Sequence, residues 1–303
     1  MVRVAAIDCG TNSIRLLVAD VDGDRKTDVH REMRVVRLGQ GVDRTGELAP
    51  EAIDRTRFAL VDYRSTCRDL GVEATRMVAT SATRDARNGS DFRDMVQQVL
   101  GLAPDVVSGD EEAALSFDGA TRGLDPADGP FLVMDIGGGS TELVLGTTSV
   151  EAGRSVDVGC VRLTERHLRD DPPTAAQVAA AEADIDAALE LVRDSVPVEK
   201  ACTAIGLAGS VTTVAALALD LPAYDAARIH LSRIAAAQVR EVTDGLLAMS
   251  REERAALPVM HPGRVDVIGA GALVLATLVD RLALPEVLVS EADILDGIAW
   301  SIR

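Results

Sequence analysis

Twice along this chain an apolar strand ends in an aspartate, turns through glycine and serine, and returns as a second apolar strand. The first copy reads VRVAAID, CGTN, SIRLLVADV over residues 2–21, and the second reads FLVMDI, GGGS, TELVLG over 131–146. Their aspartates, Asp8 and Asp135, stand 127 positions apart (135 − 8). Runs of β-branched residues on both sides of a glycine turn signal a hairpin. Two hairpins in equivalent positions signal a duplicated domain, and 303 residues suit two domains of roughly 150 each. Aliphatic residues dominate the interior, since aromatics make up only 2% of a chain that is 47% hydrophobic. That favours parallel sheets covered by Ala-rich helices, an α/β architecture.

The intervening pattern fits this class. A third strand is expected near 31–38 and a helix over 50–70, with Gly71 as its stop. RMVATSA (76–82) reads as a strand running into a helix, DFRDMVQQVL (91–100) as a helix, and 109–122 as another after a strand ending at 107. After the GLDPADGP punctuation at 123–130, a strand is expected at 154–160. A long helix should follow from Thr174, opened by the Thr174…Gln177 capping box. Strands at 201–205 and 285–290, helices around 233–255 and 262–282, and a last helix capped by Ser290 complete the expectation.

A net charge of −17 opposes binding to nucleic acid and to anionic membrane surfaces. Any phosphate site must therefore rely on backbone N–H groups, a metal ion and a few local arginines. Cys9, Cys67, Cys160 and Cys202 show neither zinc-site nor disulfide spacing, and are expected as reduced core residues of a cytoplasmic protein. No secretory signal opens the sequence. The longest apolar run, Val267 to Val279, is too short for a membrane span and reads as a buried helix.

Five segments could carry chemistry. In the first hairpin Gly10, Thr11, Asn12 and Ser13 offer donors to an anion, though a plain turn explains them too. In the second, Gly137, Gly138 and Gly139 cost backbone entropy that close approach to phosphate would justify, with Ser140 and Thr141 adding donors. Asp135 and Glu142 flank that turn, and both could face a hard cation such as Mg²⁺. In Ser108–Glu112, a capping box occupies Glu111, and a helix dipole alone accounts for acids there. Glu112, outside the box, is the candidate general base. Arg84 lies at a strand-to-helix junction, from which a guanidinium could reach phosphate oxygens. Gly209 and Ser210 sit in a βα turn that is either a phosphate or nucleotide site or only a tight connection. Arg162, Arg166, His167 and Arg264 are further candidate contacts for a long polyanion.

Together these segments resemble the exopolyphosphatase / guanosine pentaphosphate phosphohydrolase (Ppx/GppA) family of the actin, Hsp70 and sugar-kinase superfamily. The resemblance rests on IDCGTNSIRLLVAD (7–20), ATSATRDARN (79–88), VVSGDEEAALSFDG (106–119) and VMDIGGGSTELVLG (133–146). VGCVRLTE (158–165), GLAGSVTTVAAL (206–217) and RVDVIGAGALVL (264–275) extend it over nearly the whole chain. It implies the family's short form, with two actin-like (ribonuclease H-like) domains: 1–121 plus 290–303, and 122–289, with the active site in the cleft between them. It also implies a homodimer. Carried over by position, Glu112 matches the catalytic glutamate, Arg84 a phosphate-contacting arginine, and Asp135 and Glu142 the acids linked with metal and water. Gly137–Ser140 match the phosphate loop and Asn12 with Ser13 its partner. Asp8 joins the candidate metal ligands. Ser210 stands where the family pattern leads one to expect threonine, which puts that turn's role in question.

The implied reaction is transfer of a terminal phosphoryl group to water, with Mg²⁺ or Mn²⁺ as cofactor. Such chemistry needs positioning and neutralisation of charge more than covalent catalysis. Inorganic polyphosphate is the expected substrate, because few aromatics are present to stack a base. The alternatives are guanosine pentaphosphate, losing its 5′-terminal phosphate, a small-molecule kinase, and a sensor of polyphosphate or nucleotide without turnover.

Overall fold

A computed structural model describes residues 1–23 and 25–302. Arg303, the last residue of the expected first domain, lies outside the described residues. Eleven strands appear in chain order among them: β1 Val2–Cys9, β2 Ser13–Asp22, β3 Arg25–Val35, β4 Ala74–Ala79, β5 Asp105–Val106, β6 Phe131–Ile136, β7 Thr141–Gly146, β8 Val150–Val156, β9 Thr203–Leu207, β10 Arg233–Ala235 and β11 Glu286–Val289. They form two sheets, ordered β3-β2-β1-β4-β5 and β10-β11-β9-β6-β7-β8. Read from its other end, the second sheet repeats the first: β8-β7-β6-β9-β11 corresponds to β3-β2-β1-β4-β5. In each, two antiparallel pairings precede a parallel one. The three-residue strand β10 adds an antiparallel edge with no counterpart in the first sheet. The chain divides into two compact units, Met1–Gly119 with Ile294–Arg303, and Ala120–Asp293.

The first unit has three layers. Along β1 the side chains alternate, so Ala5, Ile7 and Cys9 enter one core and Val4 and Ala6 the other. The first core is closed by the helices Pro50–Asp69 and Gly89–Leu100, through Leu60, Tyr63, Phe92 and Val96. Leu115 of helix Gly109–Thr121 and Ile294, Leu295 and Ile298 of helix Ile294–Ser301 close the other. Asp8 lies on this second face by the same alternation. Leu132, Met134, Ile136, Leu143 and Leu145 of the second sheet pack in a core with Ile185 and Leu189 of helix Ala175–Arg193 and Leu275 and Leu278 of helix Ile268–Arg281. The expected capping box holds: Thr174 Oγ1 accepts the Gln177 N–H, and Gln177 Oε1 accepts the Thr174 N–H, each at 3.3 Å.

Several local expectations are corrected. The strand placed at 154–160 is β8, which ends at Val156, and Cys160 opens a helix, Cys160–Arg166. Val158 and Cys160 continue the apolar pattern past β8, but ladder pairing ends at Val156 and the Cys160 N–H is taken by the Gly137 carbonyl. Ser290 forms a turn with Ala292 instead of capping the last helix, which starts at Ile294. The helix placed from 262 begins at Ile268. Only two of the four cysteines are core residues: Cys9 and Cys160 are buried, Cys67 is half-buried and Cys202 is exposed.

Candidate active site

In the first unit the loop joining β1 to β2 is closed by the Gly10 N–H donating to the Ser13 carbonyl at 3.0 Å. Two of its carbonyls are tied down by residues 36–39. The Thr11 oxygen accepts the Gly39 N–H at 2.8 Å, and the Asn12 oxygen accepts the N–H groups of Val36 and Arg37 at 3.0 and 2.8 Å. In a planar trans peptide the C=O and the following N–H point in opposite directions. The N–H groups of Asn12 and Ser13 therefore point away from residues 36–39. Glycine is required at 39, where a Cβ would stand 2.3 Å from Thr11 Cγ2. Thr11 Oγ1 also bonds Ser81 Oγ at 2.9 Å, joining the loop to the helix Ser81–Asp85.

The second unit repeats the arrangement 127 residues later. Gly137 N–H donates to the Ser140 carbonyl at 3.0 Å. The helix Cys160–Arg166 backs the loop. Cys160 N–H binds the Gly137 oxygen at 3.0 Å, Val161 and Arg162 N–H bind the Gly138 oxygen at 2.9 and 3.2 Å, and Arg162 Nε binds the Gly139 oxygen at 2.7 Å. Three consecutive carbonyls face that helix, so the N–H groups of Gly138, Gly139 and Ser140 all turn the other way. Successive N–H groups presented together make an anion-binding concavity. Thr141 is a structural pin rather than a ligand-facing donor, because its buried hydroxyl is spent on the Val158 carbonyl at 2.6 Å.

The carboxylates flanking the two loops differ in their partners. Asp8 pairs across the ladder with Arg15, whose Nε and Nη2 reach Asp8 Oδ2 at 3.0 and 2.7 Å, so that charge is compensated by a fixed cation. At the matching place Asp135 stands opposite Glu142, and directly opposed residues share a sheet face. They are 8% and 1% exposed, and Glu142 Oε1 accepts the Ser155 hydroxyl at 2.6 Å. Among the described residues no group of three His, Cys, Asp or Glu is placed to hold a metal.

Arg84 and Glu112 meet. Arg84 Nη1 donates to Glu112 Oε2 and to the Val107 carbonyl, each at 3.0 Å, and Glu112 is 8% exposed. The expected capping box at Ser108 is only half formed. Ser108 Oγ accepts the Glu111 N–H at 3.2 Å, but the Glu111 carboxylate pairs with Arg76 at 2.7 Å. Glu112 keeps its separate place one residue further on, which the sequence assignment required.

Comparison with known proteins gives the family. The chain matches the Ppx/GppA phosphatase family over residues 17–302. It is a member of that family. Exopolyphosphatase 2 of Mycobacterium tuberculosis is 53% identical over 315 residues, spanning 100% of this chain and 99% of that protein. The guanosine-5′-triphosphate,3′-diphosphate pyrophosphatase of Aeromonas salmonicida is 29% identical over 300 residues, 98% of this chain but 59% of that protein. A crystal structure of an exopolyphosphatase-like protein superposes with a TM-score of 0.95 at 42% identity, over 98% of this chain and 96% of its own. The actin-like α/β fold expected from the resemblance is thus the fold of this Ppx/GppA chain.

Within the family stretch, some candidates prove to be interior. Ser210 is buried, and its Oγ lies 2.1 Å from where a Cβ on Gly271 would stand, so this hydroxyl packs against helix Ile268–Arg281 and offers nothing to a ligand. Gly209 is covered by the Arg264 guanidinium, whose nearest atom would be 2.1 Å from a Cβ there. Arg166 and His167 are both engaged by Asp184, at 3.4 and 2.8 Å, rather than held for a polyanion. Missed in the sequence were Arg15, the cation opposite Asp8, and the way Gly159 and Arg162 back the glycine loop. Strand register would have exposed Arg15; the backing depends on a long-range contact without a local signature.

Proposed function

We propose that this Ppx/GppA member is an exopolyphosphatase, a phosphoric anhydride hydrolase that removes terminal phosphate from inorganic polyphosphate. The observation that carries the reading is the glycine loop, whose carbonyls are tied to one side so that three successive N–H groups face the other. Hydrogen-bond donors fixed in advance stabilise charge on phosphoryl oxygens without reorganising during the reaction. The loop Gly10–Ser13 of the first unit presents fixed N–H donors of the same kind. Glu112 acts as general base toward the attacking water, and Arg84 fixes where its carboxylate points before contacting phosphate. The 53% identity over the whole chain to a protein named exopolyphosphatase, against 29% to one named guanosine-5′-triphosphate,3′-diphosphate pyrophosphatase, favours polyphosphate over guanosine pentaphosphate.

The donor chemistry at Asp135 and Glu142 fits Mg²⁺ or Mn²⁺, which commonly takes one or two carboxylates and completes its shell with water and phosphate oxygens. Bound there, the cation would neutralise charge on the phosphate tail. Asp8, already compensated by Arg15, is assigned to holding its hairpin. A cytoplasmic setting is consistent with four free cysteines, and among the described residues no helix is long and apolar enough to cross a membrane.

Glu112→Gln tests the assignment. Phosphate release from polyphosphate should fall by at least about 10²-fold, the range for loss of a general base, while binding persists. Full activity in that variant removes Glu112 from the role. Parallel kinetics on guanosine pentaphosphate decide the substrate, and a wild-type protein that binds but releases nothing from either is a sensor.

A further inference from the structure

The two loops are closed by the same Gly-to-Ser hydrogen bond, Gly10 to Ser13 and Gly137 to Ser140, yet the donors to one matching carbonyl differ. The Asn12 carbonyl of the first loop accepts two main-chain N–H groups, those of Val36 and Arg37. The matching carbonyl of the second loop, Gly139 (12 + 127), is bound by the guanidinium of Arg162 at 2.7 Å. That side chain is only 12% exposed, and its Nη2 approaches Asp157 at 3.7 Å. The same residue's main-chain N–H holds the Gly138 carbonyl at 3.2 Å. Arg162 therefore grips two consecutive peptides of the loop, one with its backbone and one with its charge.

We infer that Arg162 is the positioning residue of the phosphate loop: it turns the Gly139–Ser140 peptide so that the Ser140 N–H faces the anion, and it polarises that peptide. A cation on a carbonyl oxygen draws electron density from the amide and strengthens its N–H as a donor. It also places a fixed positive charge behind the loop of a chain whose net charge is −17. The inference rests on the reading of this loop as a phosphate site. Arg162 acts through the peptide and is not assigned a contact with substrate. Gly159 completes the backing: a Cβ there would lie 2.5 Å from the Gly138 carbonyl carbon and oxygen and 2.7 Å from the Gly139 nitrogen. No flexible side chain is available to yield, so any larger residue must push the loop itself.

The test compares Arg162→Met, which keeps the stem and removes the charged fork, with Arg162→Lys. In the Glu112→Gln background, the Kd for tripolyphosphate is read by calorimetry; in the otherwise wild-type chain, kcat and KM for polyphosphate are measured, with thermal melting as the check on folding. A charge-assisted hydrogen bond is worth enough that Arg162→Met should raise Kd and KM about ten-fold. The kcat should stay within about three-fold, because a contact that serves ground and transition states alike changes KM alone. Arg162→Lys should recover part of the loss. Gly159→Ala, with Arg162 intact, should raise Kd similarly by displacing the same peptides.

Unchanged Kd and KM in Arg162→Met overturn the inference, as does an Arg162→Lys variant that binds as weakly as the Met one. Wild-type binding in Gly159→Ala overturns it whether or not the Met variant folds, and so does a parent chain that binds no tripolyphosphate. A parent that binds tripolyphosphate through Arg162 but releases no phosphate from polyphosphate defeats the hydrolase reading and leaves this one standing.

Discussion

Asp135 and Glu142 stand opposite each other in a ladder where the first unit pairs Asp8 with Arg15. Like charges directly across a strand pair are destabilising, and burial raises the cost of each. A divalent cation bound at the pair would relieve both. Binding only the folded state, it should stabilise by about 2.7 kcal/mol at a hundred-fold excess over Kd. For a unit of this size that corresponds to a melting shift of about 5–10 °C. Thermal scans with Mg²⁺ and Mn²⁺ should show this rise in the wild type and lose most of it in Asp135→Asn. An unshifted wild type, or an equal shift in the variant, would remove the metal from this pair. The aspartates and glycines of both loops were legible from sequence because a strand end followed by a glycine turn is a local pattern. Arg15 was not, since its pairing exists only once register is known. Nor were the inward-facing hydroxyls of Thr141 and Ser210, because nothing local distinguishes a hydroxyl that packs from one that binds.

The helix Ile294–Ser301 illustrates how one element can depend on one missing side chain. It packs on β1, β2 and β4 of the first unit, and Asp296 on it is buried and paired with Lys26 at 2.9 Å and Arg31 at 2.7 Å. At Gly297 a Cβ would lie 2.0 Å from the carbonyl oxygen of Leu115, on the helix Gly109–Thr121 that carries Glu112. The obstacle is main chain, so the helices must move apart. Gly297→Ala should destabilise the first unit by about 1–3 kcal/mol, the usual cost of overpacking, read as a lower urea midpoint. An unchanged midpoint would mean this close approach contributes nothing to stability. Long amphipathic elements such as Pro50–Asp69 were legible in the sequence, because twenty residues of helical period outweigh local ambiguity. The helix Cys160–Arg166 was not read, and its first residue was placed at the end of a strand: seven residues are too few to display a helical period, and the start is dictated by the glycine loop 23 residues earlier (160 − 137).

At the scale of the whole chain, the duplication read from two hairpins extends to strand order, to the direction of every shared pairing and to the hydrogen bond closing each loop. Among the described residues the strand β10 has no counterpart in the first sheet, as befits an insertion. The net charge of −17 sets a further condition, because the proposed substrate is itself a dense polyanion. Long-range repulsion between them is screened beyond about 30 Å at 0.01 M salt and about 10 Å at 0.1 M. Contacts made by fixed peptide dipoles at short range are much less affected. Raising monovalent salt over that interval at constant Mg²⁺ should therefore hold or raise kcat/KM for long polyphosphate, by up to about three-fold, since steering effects on association weaken with ionic strength. A protein that captured its substrate with a broad basic patch would do the reverse, losing affinity as counterion release becomes less favourable. Initial rates on long and short chains across this salt range separate the two cases. A fall of about ten-fold or more on the long chains would place the dominant contacts on arginines and lysines away from the loops, and the backbone-centred account of binding would have to be given up.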